Sequence, residues 1–363
     1  MENKDLKLNR TSLYDQHISL NAKMVNFANY LMPINYDKGI KYEYDCVRND
    51  IGIFDVSHMG ILKVSGEGAD SFLNKVLSNN IKNLKDNDAL YTLLCNTSGG
   101  VIDDLILYKI NDEFILIVNA SNKNKDLNWL LNCNEKEISI DDISNRTSLI
   151  AIQGPNSRSR LQEIFNLNLE EMNFYSCRKI SLNDSNIFVA RTGYTGELGF
   201  EILGNTQMIN TMWDTMISSN ISPAGLATRD ILRIEMGYCL YGHEINETIN
   251  PIDAGLSWIL DKESHFIGSD QIFDKKNKKN KIIFLKMLER GIPREDCEIF
   301  QNEHKIGYVT SGTFSYTLNI GLGIGFIDRS INNYENIILK IRNKNYNIKI
   351  SNRPFFTNTS LRE

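Results

Sequence analysis

The chain of 363 residues is 42% hydrophobic and 23% charged with a formal net charge of -5, which indicates a globular protein of two or three domains. The negative charge and the lack of a basic stripe argue against nucleic acid as a partner, and no apolar run reaches the roughly 20 residues that cross a membrane. The first ten residues mix acids with lysines and lack a hydrophobic segment. We therefore expect no targeting peptide, no membrane contact and a cytoplasmic location.

The cysteines and histidines are dispersed along the chain and form neither a Cys-x-x-Cys nor a His-Glu-x-x-His pair. This spacing excludes a sequence-local zinc or redox motif and does not suggest a disulfide scaffold. We expect no metal, and we interpret most of the cysteines as small buried side chains.

The N-terminal part of the chain predicts alternating helices and strands. Residues 11–36 begin with a helix-like pattern that Pro33 ends, and the glycine-punctuated run 51–60 predicts a strand leading into a loop. Residues 61–64 predict a strand, and residues 69–77 a helix, because the apolar residues of the second run recur at helical spacing.

Residues 99–108, GGVIDDLILY, predict a double-glycine turn that opens into an apolar strand interrupted by two adjacent carboxylates. Side chains alternate along a strand, so Asp103 and Asp104 point to opposite faces and at least one lies on a largely apolar face. A carboxylate there is costly unless it is hydrogen-bonded, paired with a charge or functional. The alternative is an acid at a sheet edge, close to water.

Residues 101–120 predict a β-hairpin that includes this strand. Folding about its turn brings Asp104 opposite the end of the second strand, give or take one residue of register. We therefore expect Asn119 to be a neighbour of Asp104, and Tyr91 on the preceding strand to be another.

The rest of the chain predicts further helices and strands, followed by a β-rich tail. The polar run 274–281, DKKNKKNK, gives the clearest domain boundary, and the glycines of 321–325 fit a tightly packed strand better than a dinucleotide-binding loop. In chain order the predicted elements are a helix over 122–131, a strand over 148–153, a helix with Pro155 in its first turn that ends at Phe165, strands over 177–182 and 186–191 around an Asn183-Asp184 turn, a helix over 206–218, a helix that Thr228 caps and Gly237 ends, and short strands over 282–287, 306–311, 337–341 and 346–350.

Glu201 follows the glycine-rich loop 192–199 and faces away from the apolar side of its predicted strand. A carboxylate can hold a flat ligand that presents two adjacent N–H donors, such as the amino-pyrimidinone edge of a pterin or guanine. The alternative is that Glu201 lies on the solvated side of a half-buried strand.

Arg229 and Arg233 lie one turn apart on a predicted helix. Together they could clamp a carboxylate or phosphate group. Equally, they could form local ion pairs with Asp230 and Glu235.

These residues lie within runs that resemble the aminomethyltransferase (T-protein) family of the glycine cleavage system. The matching runs follow the family order along nearly the whole chain: TSLYDQH (11–17), IFDVSHMG (53–60), LYTLLCNTSGGVIDDLILY (90–108), QGP (153–155), RTGYTGELGFEI (191–202), GLATRDILRIEMGYCLYGHEI (225–245), AGLSW (254–258) and VTSG (309–312).

The resemblance implies an α+β fold with three domains arranged as a cloverleaf around a central folate pocket. The C-terminal domain would be β-rich, of barrel or jelly-roll type. We expect the first domain to comprise residues 1–52 and 141–273, the second residues 53–140 and the third residues 282–363.

The resemblance also implies an activity and a site. A one-carbon transferase of this family passes the aminomethyl carbon from the lipoyl arm of H-protein to tetrahydrofolate, releases ammonia and forms 5,10-methylenetetrahydrofolate. By motif, Asp104 matches the catalytic acid of the family, Glu201 the acid that grips the pterin, and Arg229 the arginine that contacts folate. Further pocket positions match Tyr91, Asn119 and Tyr194.

Two alternatives share the predicted fold. A folate-dependent demethylase would take one carbon from an N- or S-methyl donor without H-protein, and the intact glycine-cleavage pattern at 90–108 argues against it. A non-catalytic folate-binding protein of iron–sulfur assembly would carry Lys-Gly-Cys-Tyr-x-Gly-Gln-Glu, where this chain has GYCLYGHE at 237–244. We therefore interpret Cys239 as a packing residue.

Overall fold

The computed structural model describes residues 8–135, 138–182 and 185–363, so the turn predicted at Asn183-Asp184 lies outside the described residues. Its β-strands are β1 (Asn9–Arg10), β2 (Lys23–Phe27), β3 (Tyr30–Asn35), β4 (Gly52–Asp55), β5 (Gly60–Ser65), β6 (Ala89–Cys95), β7 (Val101–Ile110), β8 (Glu113–Val118), β9 (Ser139–Asp142), β10 (Thr147–Gln153), β11 (Cys177–Leu182), β12 (Ser185–Ala190), β13 (Gly199–Asn205), β14 (Ser222–Pro223), β15 (Asn280–Met287), β16 (Glu298–Gln301), β17 (His304–Ser315), β18 (Ile320–Asp328), β19 (Ile337–Ile341) and β20 (Lys344–Ser351). Its α-helices are α1 (Tyr14–Ser19), α2 (Ile40–Asn49), α3 (Ala69–Val76), α4 (Lys123–Cys133), α5 (Ser157–Phe165), α6 (Thr206–Ser218), α7 (Leu226–Met236) and α8 (Ser269–Phe273).

The strands form open sheets followed by a closed barrel. A small sheet has the order β1-β3-β2, a six-stranded sheet the order β11-β12-β13-β10-β4-β14, and a five-stranded sheet the order β6-β7-β8-β5-β9. The barrel has the order β15-β18-β17-β16-β19-β20. The predicted α+β class with a β-rich C-terminal domain is confirmed, and this domain is a closed barrel, in which every strand is paired on both sides.

The two larger sheets face each other, which follows from the alternation of side chains along their strands. On β13, Phe200 and Ile202 pack with Trp213 of α6 on the outer side of the six-stranded sheet. Residues of its inner side, such as Ala151, share a second core with Tyr108 of the five-stranded sheet. Polar side chains in the space between the sheets therefore do not disturb the apolar packing on the outer side of either sheet.

The sheets do not divide the chain at the predicted domain boundaries. Strand β4, at Gly52–Asp55, belongs to the six-stranded sheet, and β9, at Ser139–Asp142, belongs to the five-stranded sheet. Both sheets therefore extend two or three residues beyond the boundaries expected after residues 52 and 140. The division into domains stays a prediction.

A buried ion network attaches α7 to the barrel and to α2. Arg48 donates to Glu235 and to Glu197 at 2.6 Å each, and the Ser315 hydroxyl of the barrel donates to Glu235 at 2.5 Å. Buried charges are stable only when paired in this way. The network fixes the helix that carries Arg229.

Some local predictions were wrong. The helix predicted from residue 11 comprises only α1, because Asn21 takes a left-handed φ of 54° and the chain continues into two strands that include Pro33. Pro155 precedes α5 instead of lying in its first turn, since Asn156 is the N-cap. Thr228 does not cap α7, which begins at Leu226; its hydroxyl donates to Glu43.

The predicted hairpin at 101–120 and the tightly packed strand at 321–325 are confirmed as β7–β8 and β18. A Cβ atom on Gly325 would lie 2.4 Å from the carbonyl oxygen of Tyr308, so only glycine fits there. Three of the six cysteines are buried, Cys239 among them, and the other three are half-buried.

Candidate active site

Asp104 lies on β7 with its carboxylate toward the cleft between the sheets, on the same face as Ile106 and Tyr108. The Tyr91 hydroxyl donates to one carboxylate oxygen at 2.9 Å, and the Asn119 amide donates to the other at 2.8 Å. Both predicted neighbours are confirmed. The ladder pairs Ile106 with Ile117, and continuing this register sets Asp104 opposite Asn119.

Burial raises the pKa of Asp104 to about 7, and the negative charge of adjacent Asp103 adds to the rise. The donors Tyr91 and Asn119 favour the charged form and limit this rise. A carboxyl group with a pKa near neutrality can hold or release a proton at the pH at which most enzymes act.

The double glycine before β7 has a steric reason that the sequence alone did not reveal. A Cβ atom on Gly100 would lie 1.8 Å from the carbonyl oxygen of Glu247. The backbone amide of Val101 donates to the backbone carbonyl of Asn246, the residue before Glu247, at 2.9 Å. The start of β7 is therefore pressed against the chain at 246–247, which fixes the strand that carries Asp104.

Glu201 lies on β13 and faces the cleft, opposite to Phe200 and Ile202, as predicted. Its neighbours across the ladder are Ala151 and Ala190, which leave space above the sheet because their side chains are small. With only alanines beside it, the Glu201 carboxylate has no bulky apolar side chain next to it on the inner side of the sheet.

One oxygen of the Glu201 carboxylate accepts hydrogen bonds from the Thr192 hydroxyl at 2.5 Å and from the Tyr108 hydroxyl at 3.4 Å. Within the described part of the chain, no donor contacts the other oxygen. The sequence did not predict Tyr108 or Thr192 as partners of Glu201. Tyr108 could have been found, since it shares its face of β7 with Asp104.

Arg229 packs its guanidinium group 4.8 Å from the centre of the Tyr194 ring. Its Nη1 atom is shielded from solvent and has no hydrogen-bond partner in the described chain. Burial lowers the pKa of Arg229, and the charge of Glu201 acts in the opposite direction. A buried cationic N–H group without an acceptor is costly, so this atom is suited to a ligand acceptor.

Tyr194 lies between Arg229 and the Asp104 side of the cleft. Its hydroxyl donates to the carbonyl of Cys239, and its ring stacks on that of Tyr238 with centroids 5.6 Å apart. Burial raises the pKa of Tyr194, and the charge of Asp104 contributes to the rise. The tyrosine is thus a neutral, rigid wall of the cleft.

Arg233 is not available to form a clamp with Arg229. It pairs with Asp230 at 2.8 Å, as the local ion-pair interpretation allowed, and also with buried Glu244 at 3.1 Å. The other predicted local partner, Glu235, pairs instead with Arg48 at 2.6 Å. Arg229 therefore remains the arginine of α7 with an unpartnered N–H group.

His58 is a buried histidine beside the rings of Phe27 and Tyr30 and was not predicted as a site residue. It is 5% exposed, and its Nδ1 atom has no partner among the described residues. Burial lowers the pKa of His58 to about 4; the charge of Asp55 opposes this effect, and that of Arg229 adds to it. The imidazole is therefore neutral at pH 7.

Two features are absent from the described residues. No helix in this part of the chain is long and apolar enough to span a membrane. No group of three or more His, Cys, Asp and Glu side chains in the same residues could hold a metal ion. The expected cytoplasmic location and the expected lack of a metal stay predictions.

Comparison with known proteins assigns the chain to a family. A family model described as the GCVT N-terminal domain matches residues 13–264, and one described as the glycine cleavage T-protein C-terminal barrel domain matches residues 280–357. The aminomethyltransferase of Thermosipho melanesiensis is 39% identical over 351 residues, which cover 95% of this chain and 96% of the relative. That of Flavobacterium psychrophilum is 40% identical over 361 residues, covering 96% and 99%.

The crystal structure of glycine cleavage system aminomethyltransferase T from Bartonella henselae superposes with a TM-score of 0.90 at 30% identity, covering 97% of this chain and 99% of that one. Fold and comparisons together define the chain as a transferase of mixed α+β architecture with a C-terminal barrel. It belongs to the aminomethyltransferase (T-protein) family of the glycine cleavage system.

Proposed function

We propose that this protein transfers the aminomethyl carbon from the lipoyl arm of H-protein to tetrahydrofolate, with release of ammonia and formation of 5,10-methylenetetrahydrofolate. The observation that carries the proposal is the Asp104 carboxyl group, which faces the cleft, is held by Tyr91 and Asn119, and has its pKa raised to about 7 by burial. Aminomethyltransferases that match nearly the full length of the chain support the same reaction.

The cleft has polar groups that fit tetrahydrofolate. The pterin presents adjacent N–H donors, and the free oxygen of Glu201 can accept one while Thr192 and Tyr108 fix the orientation of the carboxylate. The small side chains of Ala151 and Ala190 leave room for a flat ring beside it. Arg229 offers a buried N–H group that needs an acceptor.

Asp104 is the group that acts on the reacting atoms in this proposal. Transfer of the carbon away from sulfur develops cationic iminium character, which a fixed carboxylate stabilises in a site of low dielectric. The same carboxyl group can take up or return a proton at the folate nitrogens, since its pKa lies near neutrality. Tyr91 and Asn119 hold its two oxygens so that no reorientation is needed.

The Asp104 end of the cleft lies close to the surface, where a partner could present a lipoyl arm. Tyr91 stacks on Trp258 with ring centroids 5.9 Å apart, and Trp258 is 63% exposed. An exposed tryptophan beside a buried site is a natural contact for an apolar arm. We therefore place the entry of the H-protein arm at Trp258.

The test combines the purified protein with tetrahydrofolate and aminomethyl-loaded H-protein and follows ammonia and methylenetetrahydrofolate together. We expect one ammonia for each methylenetetrahydrofolate, and product only when both substrates are present. Efficient one-carbon transfer from an N- or S-methyl donor without H-protein would support the demethylase alternative instead. Folate binding without any turnover would support the non-catalytic alternative.

A further inference from the structure

Asp103 lies on the opposite face of β7 from Asp104 and is fully buried. Its carboxylate accepts hydrogen bonds from the Asn119 backbone amide at 2.9 Å, from the Asn119 side chain at 2.9 Å and from the Asn122 side chain at 2.6 Å. Burial raises the pKa of Asp103, and the three N–H donors on its carboxylate oppose this rise because they favour the charged form. Asp103 therefore carries a negative charge beneath the reactive face of the strand.

Asp126 of α4 is also fully buried. It lies one turn along α4 from Asn122, whose side chain donates to Asp103, and both of its carboxyl oxygens are shielded from solvent without a hydrogen-bond partner among the described residues. A buried carboxylate without donors is strongly disfavoured, whereas Asp103 has three N–H donors, so Asp126 is the protonated member of the pair and its O–H group faces a charged acceptor in Asp103. Burial raises the pKa of Asp126 to about 10, and the charge of Asp103 acts in the same direction.

Asn119 connects this buried pair to the catalytic carboxyl group. Its Nδ2 atom donates to Asp103 at 2.9 Å and to the Asp104 carboxylate at 2.8 Å. An amide nitrogen has two hydrogens, so these bonds use both and fix the orientation of the group. Asp103 therefore fixes the amide that holds one Asp104 oxygen, while Tyr91 holds the other.

We propose that Asp103 and Asp126 are positioning residues for aminomethyl transfer: they share one proton, and the single negative charge that remains fixes the Asn119 amide, which orients Asp104. The inference rests on the proposed function. The N-terminal end of α4 supports it, since Asn122 and Asp126 lie in the cap and first turn of that helix, where one negative charge is stabilised. A second negative charge in the buried pair would be strongly disfavoured.

The charge of Asp103 also sets the titration of Asp104, which gives the proposal a pH readout. The ionisable groups that face or act on Asp104 and the buried pair are Tyr91 of β6, Asp103 of β7, Lys125 and Asp126 of α4, and Tyr175, Tyr194, Cys239 and Tyr241 of the loops. Lys125 is held at the surface by Tyr241 at 2.7 Å and Glu247 at 2.9 Å, so it does not pair with the buried acids. Removal of the Asp103 charge should therefore lower the pKa of Asp104.

The test compares Asp103→Asn and Asp126→Asn in the full chain, with Asp112→Asn as the matched control on the exposed turn of the same hairpin. Asp103→Asn should reduce kcat by about 10- to 100-fold, because the reactive group is misplaced, while KM for tetrahydrofolate changes little. In the same variant, the acid limb of the plot of kcat against pH should move from near pH 7 to lower pH. Asp126→Asn keeps an N–H donor toward Asp103, so it should retain most of the turnover and the position of the limb.

Asp126→Leu should lose turnover as Asp103→Asn does, and circular dichroism shows whether this variant folds. If it does not fold, the two asparagine variants decide the question alone. An unchanged kcat and acid limb in Asp103→Asn would overturn the proposal. An Asp126→Asn variant as impaired as Asp103→Asn would overturn it too, since Asp126 would then act as an anion.

A titration without substrates separates this inference from the proposed reaction. Carboxyl carbon resonances of ¹³C-labelled aspartates, assigned with Asp104→Asn, give the pKa of Asp104 in wild type and in Asp103→Asn. A lower pKa in Asp103→Asn supports the positioning network even if the protein catalyses a different transfer. An unchanged pKa contradicts the network even if aminomethyl transfer is observed.

Discussion

Asp104→Asn should stabilise the folded protein above neutral pH while it removes the group on which the proposed reaction depends. Burial raises the pKa of Asp104 from its ordinary value of 3.8 to about 7. A carboxyl group whose pKa is higher in the folded state stabilises the protein below its unfolded pKa, and this contribution is lost as the pH rises through the folded pKa. At pH 8 the wild-type protein therefore holds an unfavourable charge that asparagine lacks.

The size of the effect follows from the same pKa values. A rise in pKa from 3.8 to about 7 corresponds to a loss of stability of about 4 kcal/mol when the carboxyl group is charged in both the folded and the unfolded protein. Asp104 is half-buried, so we halve this to about 2 kcal/mol to allow for solvent screening. Asparagine also loses one of the hydrogen bonds from Tyr91 and Asn119, which costs about 1 kcal/mol. The expected net gain is about 1 kcal/mol at pH 8, and it should vanish near pH 5.

Urea unfolding of wild type, Asp104→Asn and the surface control Asp112→Asn at pH 5 and pH 8 measures this difference. The expected result is a higher midpoint for Asp104→Asn at pH 8 only, with Asp112→Asn indistinguishable from wild type. Equal destabilisation of Asp104→Asn at both pH values would show that the carboxylate is well solvated or paired. That result would refute the reasoning from burial.

Three further predictions concern the ligand, the strand and the partner. Glu201→Gln should weaken tetrahydrofolate binding by about 1.5–3 kcal/mol in calorimetry, since a charged acceptor is lost, whereas exposed Glu163→Gln should not; equal affinities would contradict the pterin contact. Gly100→Ala should lower the free energy of unfolding by more than about 2 kcal/mol, because its Cβ would lie 1.8 Å from the Glu247 carbonyl oxygen; an unchanged urea midpoint would argue against that close approach. Trp258→Ala should raise KM for H-protein severalfold and leave tetrahydrofolate affinity unchanged; a normal KM would place the entry of the lipoyl arm elsewhere.

The short-range part of the site could be predicted from the sequence because it depends on a single hairpin. Alternation along β7 and a short turn were sufficient to bring Asp104 beside Asn119. The same alternation predicted that Glu201 faces away from Phe200 and Ile202. Such contacts involve few residues and a fixed period of two, so they do not require knowledge of the tertiary structure.

The contacts that could not be predicted join distant parts of the chain. The local partner Asp230 of Arg233 was foreseen, but its buried partner Glu244 was not, because the loop that carries Glu244 reaches α7 only in the folded protein. Asp126 is an ordinary helical acid by pattern, and only the packing of the start of α4 on β7, where Asn122 donates to Asp103, brings it near that residue. The overlong helix predicted from residue 11 failed for a local reason, since Asn21, Ala28 and Asn29 adopt left-handed φ angles that apolar spacing does not reveal.

A single-turnover experiment tests the central claim most directly. Wild type and Asp104→Asn are saturated with tetrahydrofolate and mixed rapidly with aminomethyl-loaded H-protein, and the formation of methylenetetrahydrofolate is followed. We predict that Asp104→Asn binds tetrahydrofolate with an affinity close to that of wild type but forms product at least about 100-fold more slowly. Equal rates for the two proteins would contradict the assignment of Asp104 as the group that promotes carbon transfer.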